Sequence, residues 1–265
     1  MLKLVATDLD GTLLHTDGTV TDRTRAALTS VERLGLTVVF VTGRPIRWMD
    51  SLWHHVGEHG LAICSNGAVV YDVAARAIRT TRPIPPKVGL EVAARLRAGI
   101  PGSTFALEKT TGFAKEPAFH DRGREPAHLE VGPLEDIFDE HAVKLLARHA
   151  EMPPEEFWQA TGRLVADLVT TTWSSVDALV EISAAGVTKA STLERLCTDL
   201  GVASDEVVAF GDMPNDLAML EWAGRSYAMA NAHASVLALA DHLAPAHDED
   251  GVAAVLEELF ALAPR

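Results

Sequence analysis

Apolar and polar positions along this chain follow two periods, and the change from one to the other marks out its elements. Lys3 to Thr7 is a short, β-prone apolar run that stops at the acidic segment Asp8-Leu9-Asp10-Gly11-Thr12. That is the pattern of a buried strand delivering polar groups at its carboxyl end. Asp17-Gly18 marks a turn. From Thr21 to Leu34 the apolar residues Ala27, Leu28, Val31 and Leu34 recur at helical spacing, with Thr21 or Asp22 as N-cap and Gly35 as a stop. The unit then repeats. Leu36 to Thr42 reads as a β-branched strand, Gly43-Arg44 as a loop, and Pro45 as the first turn of a helix running to about Val56. Leu61 to Cys64 is a third apolar strand, closed by Asn66-Gly67. Strands alternating with helices predict an α/β fold with a doubly wound, Rossmann-like parallel sheet, whose ligands collect at the strand carboxyl ends.

After about Arg82 the texture changes: Pro83, Pro85 and Pro86 cluster, and the following hundred or so residues are richer in charge and histidine and less regular in period. An inserted α+β domain is expected over 83–184, dividing the core into segments 1–82 and 185–265. Within the insert, Val88 to Leu96 reads as a helix, Thr104 to Lys115 and Val143 to Arg148 as strands, and Pro153-Pro154 as the start of a helix through about Leu164. Leu168 to Thr172 and Ala178 to Ile182 read as two further strands. The α/β alternation resumes with a helix from Ala190 to Leu200, a strand from Val207 to Phe210, the loop Gly211 to Asn215 and a helix beginning near Asp216. Residues 223–246 are alanine-rich.

Composition narrows the partners. Thirty-seven acidic against 23 basic residues give a formal charge of −14, which repels nucleic acid and anionic lipid, and the sequence shows no basic patch to reverse this. Cys64 and Cys197, the only two cysteines, stand far apart in apolar stretches and read as buried reduced thiols rather than a disulfide or paired zinc ligands. Acid at Asp8 interrupts any signal-peptide hydrophobic region, and no apolar run approaches the roughly 18 residues of a membrane span. A cytoplasmic protein without a membrane partner is expected.

Chemistry concentrates at four places. Asp8 and Asp10, directly after a buried strand, form an acidic site that is electrostatically costly without a cation. A hard divalent ion, magnesium above all, suits carboxylate, carbonyl and phosphate oxygens. The second acidic loop, Gly211-Asp212-Met213-Pro214-Asn215-Asp216, follows another β-rich run and could complete the coordination. Thr42 offers a hydroxyl, Gly43 an unobstructed backbone N–H, and Lys189, just before a helix, a fixed positive charge for an anion. This is equipment for phosphoryl transfer.

Asp8-Leu9-Asp10-Gly11-Thr12-Leu13-Leu14, Val41-Thr42-Gly43-Arg44, Lys189 and Gly211-Asp212-Met213-Pro214-Asn215-Asp216 resemble the four ordered motifs of the haloacid dehalogenase-like hydrolases. The resemblance is nearest to the Cof-type phosphatases, whose cap is inserted between the second and third motifs. Supporting matches are Ser65-Asn66-Gly67-Ala68, Leu179-Val180-Glu181-Ile182, Ala228-Met229-Ala230-Asn231-Ala232 and Asp250-Gly251-Val252-Ala253. Ala230 departs from the glycine usual in relatives. The resemblance implies a magnesium-dependent hydrolase of small phosphorylated metabolites, sugar phosphates first. It makes Asp8 the nucleophile that forms an aspartyl-phosphate, and Asp10 the acid that protonates the leaving alcohol and then the base that activates water. Asp8, the backbone carbonyl of Asp10 and Asp212 would hold the metal. Thr42, Gly43 and Lys189 would bind phosphoryl oxygens, Asn215 would bond phosphate or Lys189, and Asp216 would orient Lys189 or a metal-bound water. Two other readings stand beside the hydrolase: a phosphotransferase or mutase of the same fold, and a catalytically silent binding or regulatory protein. Retention of Asp8, Asp10, Lys189 and Asp212 argues against silence.

Plainer roles are expected elsewhere. His54, His55, Glu58 and His59 read as a surface cluster rather than a zinc site. Asp248-Glu249-Asp250 reads as a solvated loop, since it lacks a calcium-loop pattern. Trp48 and Trp53 read as packing residues, as do Trp158 and Trp173, although the last two lie in the insert and are candidates for substrate contact. Asp216 could also serve only as the N-cap of the helix that follows it, and Arg44 could contact phosphate or pair with a surface acid, the pairing being expected.

Overall fold

Leu4–Thr7 forms β1, and all four of its residues are fully buried. A strand with water on neither face must hydrogen-bond along both edges, and β1 does so with parallel neighbours on either side. In the computed structural model, which describes residues 1–49, 60–120, 126, 128–173 and 178–262, the chain divides into two compact units. One joins residues 1–80 to 189–265, and the other is residues 81–188.

The first unit is built on an eight-stranded sheet. In spatial order it runs β14 (His242–Ala244), β13 (Arg225–Met229), β12 (Val207–Gly211), β1, β2 (Thr37–Val41), β3 (Leu61–Cys64), β4 (Val69–Asp72) and β5 (Ala77–Thr81). From β14 to β3 every pairing is parallel, and β4 turns back antiparallel to β3. Leu4 stands opposite Thr37 on one side and Val207 on the other, so two segments distant in sequence meet at the centre. Leu4, Ala6, Val39, Ile63, Val207 and Ala209 share one apolar cluster with Leu193, Leu196 and Cys197 of helix α5 (Lys189–Leu200). The alternate residues Val5, Val38, Phe40, Val208 and Phe210 are buried as well, so both faces of the sheet are covered. Helix α1 (Asp22–Arg33) starts where the Thr21 side chain accepts from the Thr24 N–H, as expected of its N-cap. It packs along α8 (Gly251–Leu259), with Arg23 paired to Glu257 at 2.6 Å.

The second unit carries a six-stranded mixed sheet in the order β10 (Val169–Thr172), β11 (Leu179–Ala184), β9 (Ala142–Arg148), β6 (Thr104–Lys109), β7 (Gly112–Lys115) and β8 (Leu129–Val131). Its own core joins Val92 and Leu96 of α2 (Pro86–Gly99) and Phe157 and Val165 of α4 (Pro154–Val165) to Phe105, Leu145 and Ile182 of the sheet. A short helix α3 (Leu134–Ile137) adds Leu134 and Ile137 to that core. On the sheet's other face Lys144 and Glu181 form a buried ion pair, while Trp158 of α4, packed against the helix-side core, stacks on Trp173 at 5.8 Å between ring centroids.

The architecture is thus the expected α/β sheet with a separate mixed-sheet unit, and several elements differ from the sequence reading. Thr104 to Lys115 is not one strand but a hairpin, because Thr110 and Thr111 turn the chain between β6 and β7. The alanine-rich stretch 223–246 contains β13, α7 (Ala234–Leu239) and β14, whose small residues hide their periodicity. After Pro45 the chain makes a single 3₁₀ turn, Ile46–Trp48; the rest of the predicted helix to Val56 lies outside the described residues, as do Trp53, His54, His55, Glu58 and His59. Trp48, read as a packing residue, is 45% exposed with the Arg47 guanidinium 4.8 Å from its ring centre.

Candidate active site

Asp8 is the first residue beyond β1, and its N–H donates to the Phe210 carbonyl at 3.1 Å, which carries the ladder one residue past the strand. Its carboxylate is thereby fixed, nearly without solvent, at the carboxyl end of the sheet. Lys189 opens α5 and is 1% exposed. Its Nζ donates to Asp8 Oδ1 and to Asp216 Oδ1, each at 2.7 Å. The other oxygen of Asp216 accepts the backbone N–H groups of Asp212 and Met213, both at 3.1 Å. Asp216 does stand before α6 (Leu217–Trp222), but its carboxylate makes no capping bond there and faces back into the loop instead. Asp212 accepts from the Thr12 hydroxyl at 2.8 Å. Gly11 is required between these groups: its φ is +74°, and a Cβ would lie 2.3 Å from Asp212 Oδ2.

Carboxylate oxygens of Asp8, Asp212 and Asp216 all lie within 4.8 Å of one another. Burial pushes the Asp8 carboxyl well above its ordinary range; Lys189 opposes the shift, while Asp216, Asp212 and Asp10 reinforce it. Asp212 is pushed up to about 7 by burial and by Asp216, against the pull of the Thr12 hydroxyl. Burial also works against the Lys189 charge, but Asp216 and Asp8 outweigh it and hold the ammonium firmly protonated. Three carboxylates facing one ammonium leave the cluster short of positive charge, and its donors are hard oxygens. That donor set fits magnesium.

Thr42 follows β2, adjacent to β1, so it shares the sheet's carboxyl end with Asp8. It is fully buried, and its hydroxyl accepts the Arg44 N–H at 3.0 Å, which curls the Thr42-Gly43-Arg44 loop over the strand end. Arg44 forks onto Asp10, with Nε to Oδ2 at 2.7 Å and Nη2 to Oδ1 at 2.5 Å. The acid it was expected to find is therefore the second aspartate of the first motif. The Asp10 side chain is 58% exposed, outside the buried carboxylate cluster. Asn215 donates to Asn66 Oδ1 at 3.2 Å, whereas Lys189 is held by Asp8 and Asp216.

The structure thus gathers Asp8, Lys189, Asp212 and Asp216 into one bonded cluster and sets Thr42 beside it, with Asp10 and Arg44 paired at the rim. Sequence reasoning missed three supporting residues. Thr12 was visible within the first motif as a hydroxyl one residue after the glycine. Asn66 closes the third strand and belongs to the supporting match Ser65-Asn66-Gly67-Ala68, but carried no role of its own. Asn231, whose side chain donates to the Gly11 carbonyl at 2.8 Å and accepts the His247 N–H at 3.0 Å, gave no signal beyond its motif.

Residues 5–256 match the haloacid dehalogenase-like hydrolase family. The 5-amino-6-(5-phospho-D-ribitylamino)uracil phosphatase YitU of Bacillus subtilis is 29% identical, with 98% of each chain covered. The pyridoxal phosphate phosphatase YbhA of Escherichia coli is 28% identical over 95% of this chain and 96% of its own. Among solved structures, SMU.1108c from Streptococcus mutans superposes with a TM-score of 0.85 at 23% identity, covering 98% of this chain and 100% of the other.

Proposed function

This chain belongs to the haloacid dehalogenase-like hydrolases and is a phosphatase of that family, and from that premise we propose that it hydrolyses phosphate monoesters of small sugars or sugar alcohols with magnesium as its metal. The observation that carries the reading is the buried Asp8 carboxylate held by Lys189 at the end of the central strand. In the first step an Asp8 oxygen attacks phosphorus, the bond from phosphorus to the substrate oxygen breaks, and Asp10 gives that oxygen its proton. In the second, Asp10 takes a proton from water, the water oxygen bonds to phosphorus, and the bond to the Asp8 oxygen breaks. Thr42, the Gly43 amide, Lys189 and Asn215 receive the phosphoryl oxygens, so charge is stabilised by donors already in place.

Asp8, the backbone carbonyl of Asp10 and Asp212 would hold magnesium, which when bound neutralises the carboxylates and polarises a phosphoryl oxygen. Asp216 keeps Lys189 and the Asp212 loop in place through its two oxygens. The phosphorylated ribityl chain in the name of one relative supports a polyol phosphate. The pyridoxal phosphate in the name of the other widens the class to small phosphorylated metabolites, to be sorted by a screen.

Hydrolysis in oxygen-18 water tests the mechanism. Each turnover should place one solvent oxygen in the released phosphate and none in the departing alcohol. Efficient transfer to an added sugar hydroxyl, with negligible labelled phosphate, would replace the hydrolase with a phosphotransferase.

A further inference from the structure

Between β3 and β4 the chain makes a tight turn, Ser65-Asn66-Gly67, in which Ser65 (φ 51°) and Asn66 (φ 56°, ψ 30°) are both left-handed. Such a conformation is sterically costly for a residue that is not glycine, and consecutive pairs persist only where the surroundings fix them. Here they are 1% and 0% exposed. Every residue of the turn bonds to a different part of the site. The Ser65 N–H donates to the Arg44 carbonyl at 2.9 Å and the Asn66 N–H to the Thr42 carbonyl at 3.0 Å. Asn66 Oδ1 accepts from Asn215 at 3.2 Å, and the Gly67 carbonyl accepts the hydroxyl of Thr192 at 2.8 Å. Thr192 lies one turn into α5, the helix that Lys189 begins.

A glycine at position 66 would adopt this backbone without strain. Asparagine tolerates it and adds an acceptor that reaches a residue of the fourth motif. Two polar atoms in the same neighbourhood, Ser65 Oγ and Asn215 Oδ1, are buried without a hydrogen-bond partner among the described residues, and buried polar atoms of that kind call for a physical reason. We infer that Asn66 is a positioning residue for phosphoryl transfer: its left-handed turn and side-chain oxygen hold the Thr42 loop, Asn215 and the helix of Lys189 in one register. The inference rests on the phosphatase reading and assigns Asn66 no contact with substrate.

The test is Asn66→Gly in the full chain with magnesium, assayed on a generic phosphate monoester. The backbone conformation is retained, so the melting temperature should stay within a few degrees, while kcat falls about tenfold or more and KM changes less than about threefold. Because Asn66 and Asn215 act as one unit, Asn66→Gly/Asn215→Ala should lose no more than the worse single variant. A folded Asn66→Gly with kcat within about threefold of wild type, or losses that multiply in the double variant, would overturn the inference. If Asn66→Gly does not fold, Thr192→Val decides: it should lower kcat several-fold at an unchanged melting temperature, and an unchanged kcat would count against the turn as a positioning element. Orthovanadate binding, followed by thermal shift, separates this inference from the reading beneath it. Wild-type protein that binds vanadate but turns nothing over would remove the phosphatase reading alone; equal vanadate affinity in wild type and Asn66→Gly would remove the positioning role.

Discussion

Lys189 sits among the carboxylates of Asp8, Asp212 and Asp216 and is bonded to two of them. Replacing it with methionine keeps the volume and removes the charge, which leaves buried anions uncompensated. A cost of about 3–5 kcal/mol is typical when one partner of a buried pair is lost. The sign of its pH dependence follows from the directions of shift: carboxyls already raised by burial take up protons as pH falls, so the stability penalty of Lys189→Met should be larger at pH 8 than at pH 5. Turnover should drop about a hundredfold or more, since a donor aimed at the phosphoryl group is gone. Denaturation midpoints at the two pH values, with kcat/KM, check both halves; a variant equal to wild type in each would return Lys189 to a plain helix start. At this scale the sequence disclosed the charged residues, because a carboxylate directly after a short, largely apolar strand has no cheap structural use. It could not disclose that Arg44 would choose Asp10, or that Asn66 would meet Asn215. Those pairings depend on which loops the sheet order brings side by side.

Between residues and molecule lie the elements, and the loop before α8 shows how one of them is secured. Asp248-Glu249-Asp250 was read as solvated, yet only part of it is: Asp250 accepts from Thr21, Thr24 and His15, while Asp248 accepts from both the backbone and the hydroxyl of Thr16. The loop thereby pins the start of α1 and the turn after the first motif. Burial alone would raise the Asp250 carboxyl, but the hydrogen bonds from Thr21, His15 and Thr24 prevail and hold it below the ordinary range. A depressed folded-state value means stability that is complete above the unfolded carboxylate pKa of about 3.9 and lost as pH falls through the lower folded one. Asp250→Asn should therefore melt below wild type at pH 6, with the gap closing towards about pH 2–3; a gap independent of pH would show that the ion contributes nothing. Elements with strong periodicity, such as α1, β1 and β12, were legible from sequence within a residue or two. Short edge strands such as β8 and β14 were not, since three residues carry too little pattern and are fixed by the strand they join.

For the whole molecule, the excess of acid and the carboxylate cluster act together. Magnesium should raise the melting temperature beyond what sodium does at matched ionic strength, by an amount corresponding to about 2.7 kcal/mol when the metal stands at a hundred times its dissociation constant. Because Asp212 holds its proton up to about 7, metal and proton compete, so the shift should be larger at pH 8 than at pH 6. Thermal melts with and without chelator measure it, and an effect matched by sodium would mean that only diffuse screening is at work. No helix among the described residues is long and apolar enough to cross a membrane. The pairing of Leu4 with Val207 at the centre of the sheet has one more consequence, which belongs to the time of synthesis. At about 5–20 residues per second, a ribosome needs roughly ten to forty seconds to pass from β1 to β12. During that interval one edge of a strand whose residues are all buried in the finished fold has no partner, while residues 81–188, with a core of their own, are already complete enough to collapse. The nascent chain is therefore most exposed to aggregation and to chaperone capture in the window before residue 207 emerges, and slow codons placed shortly before that point would lengthen it.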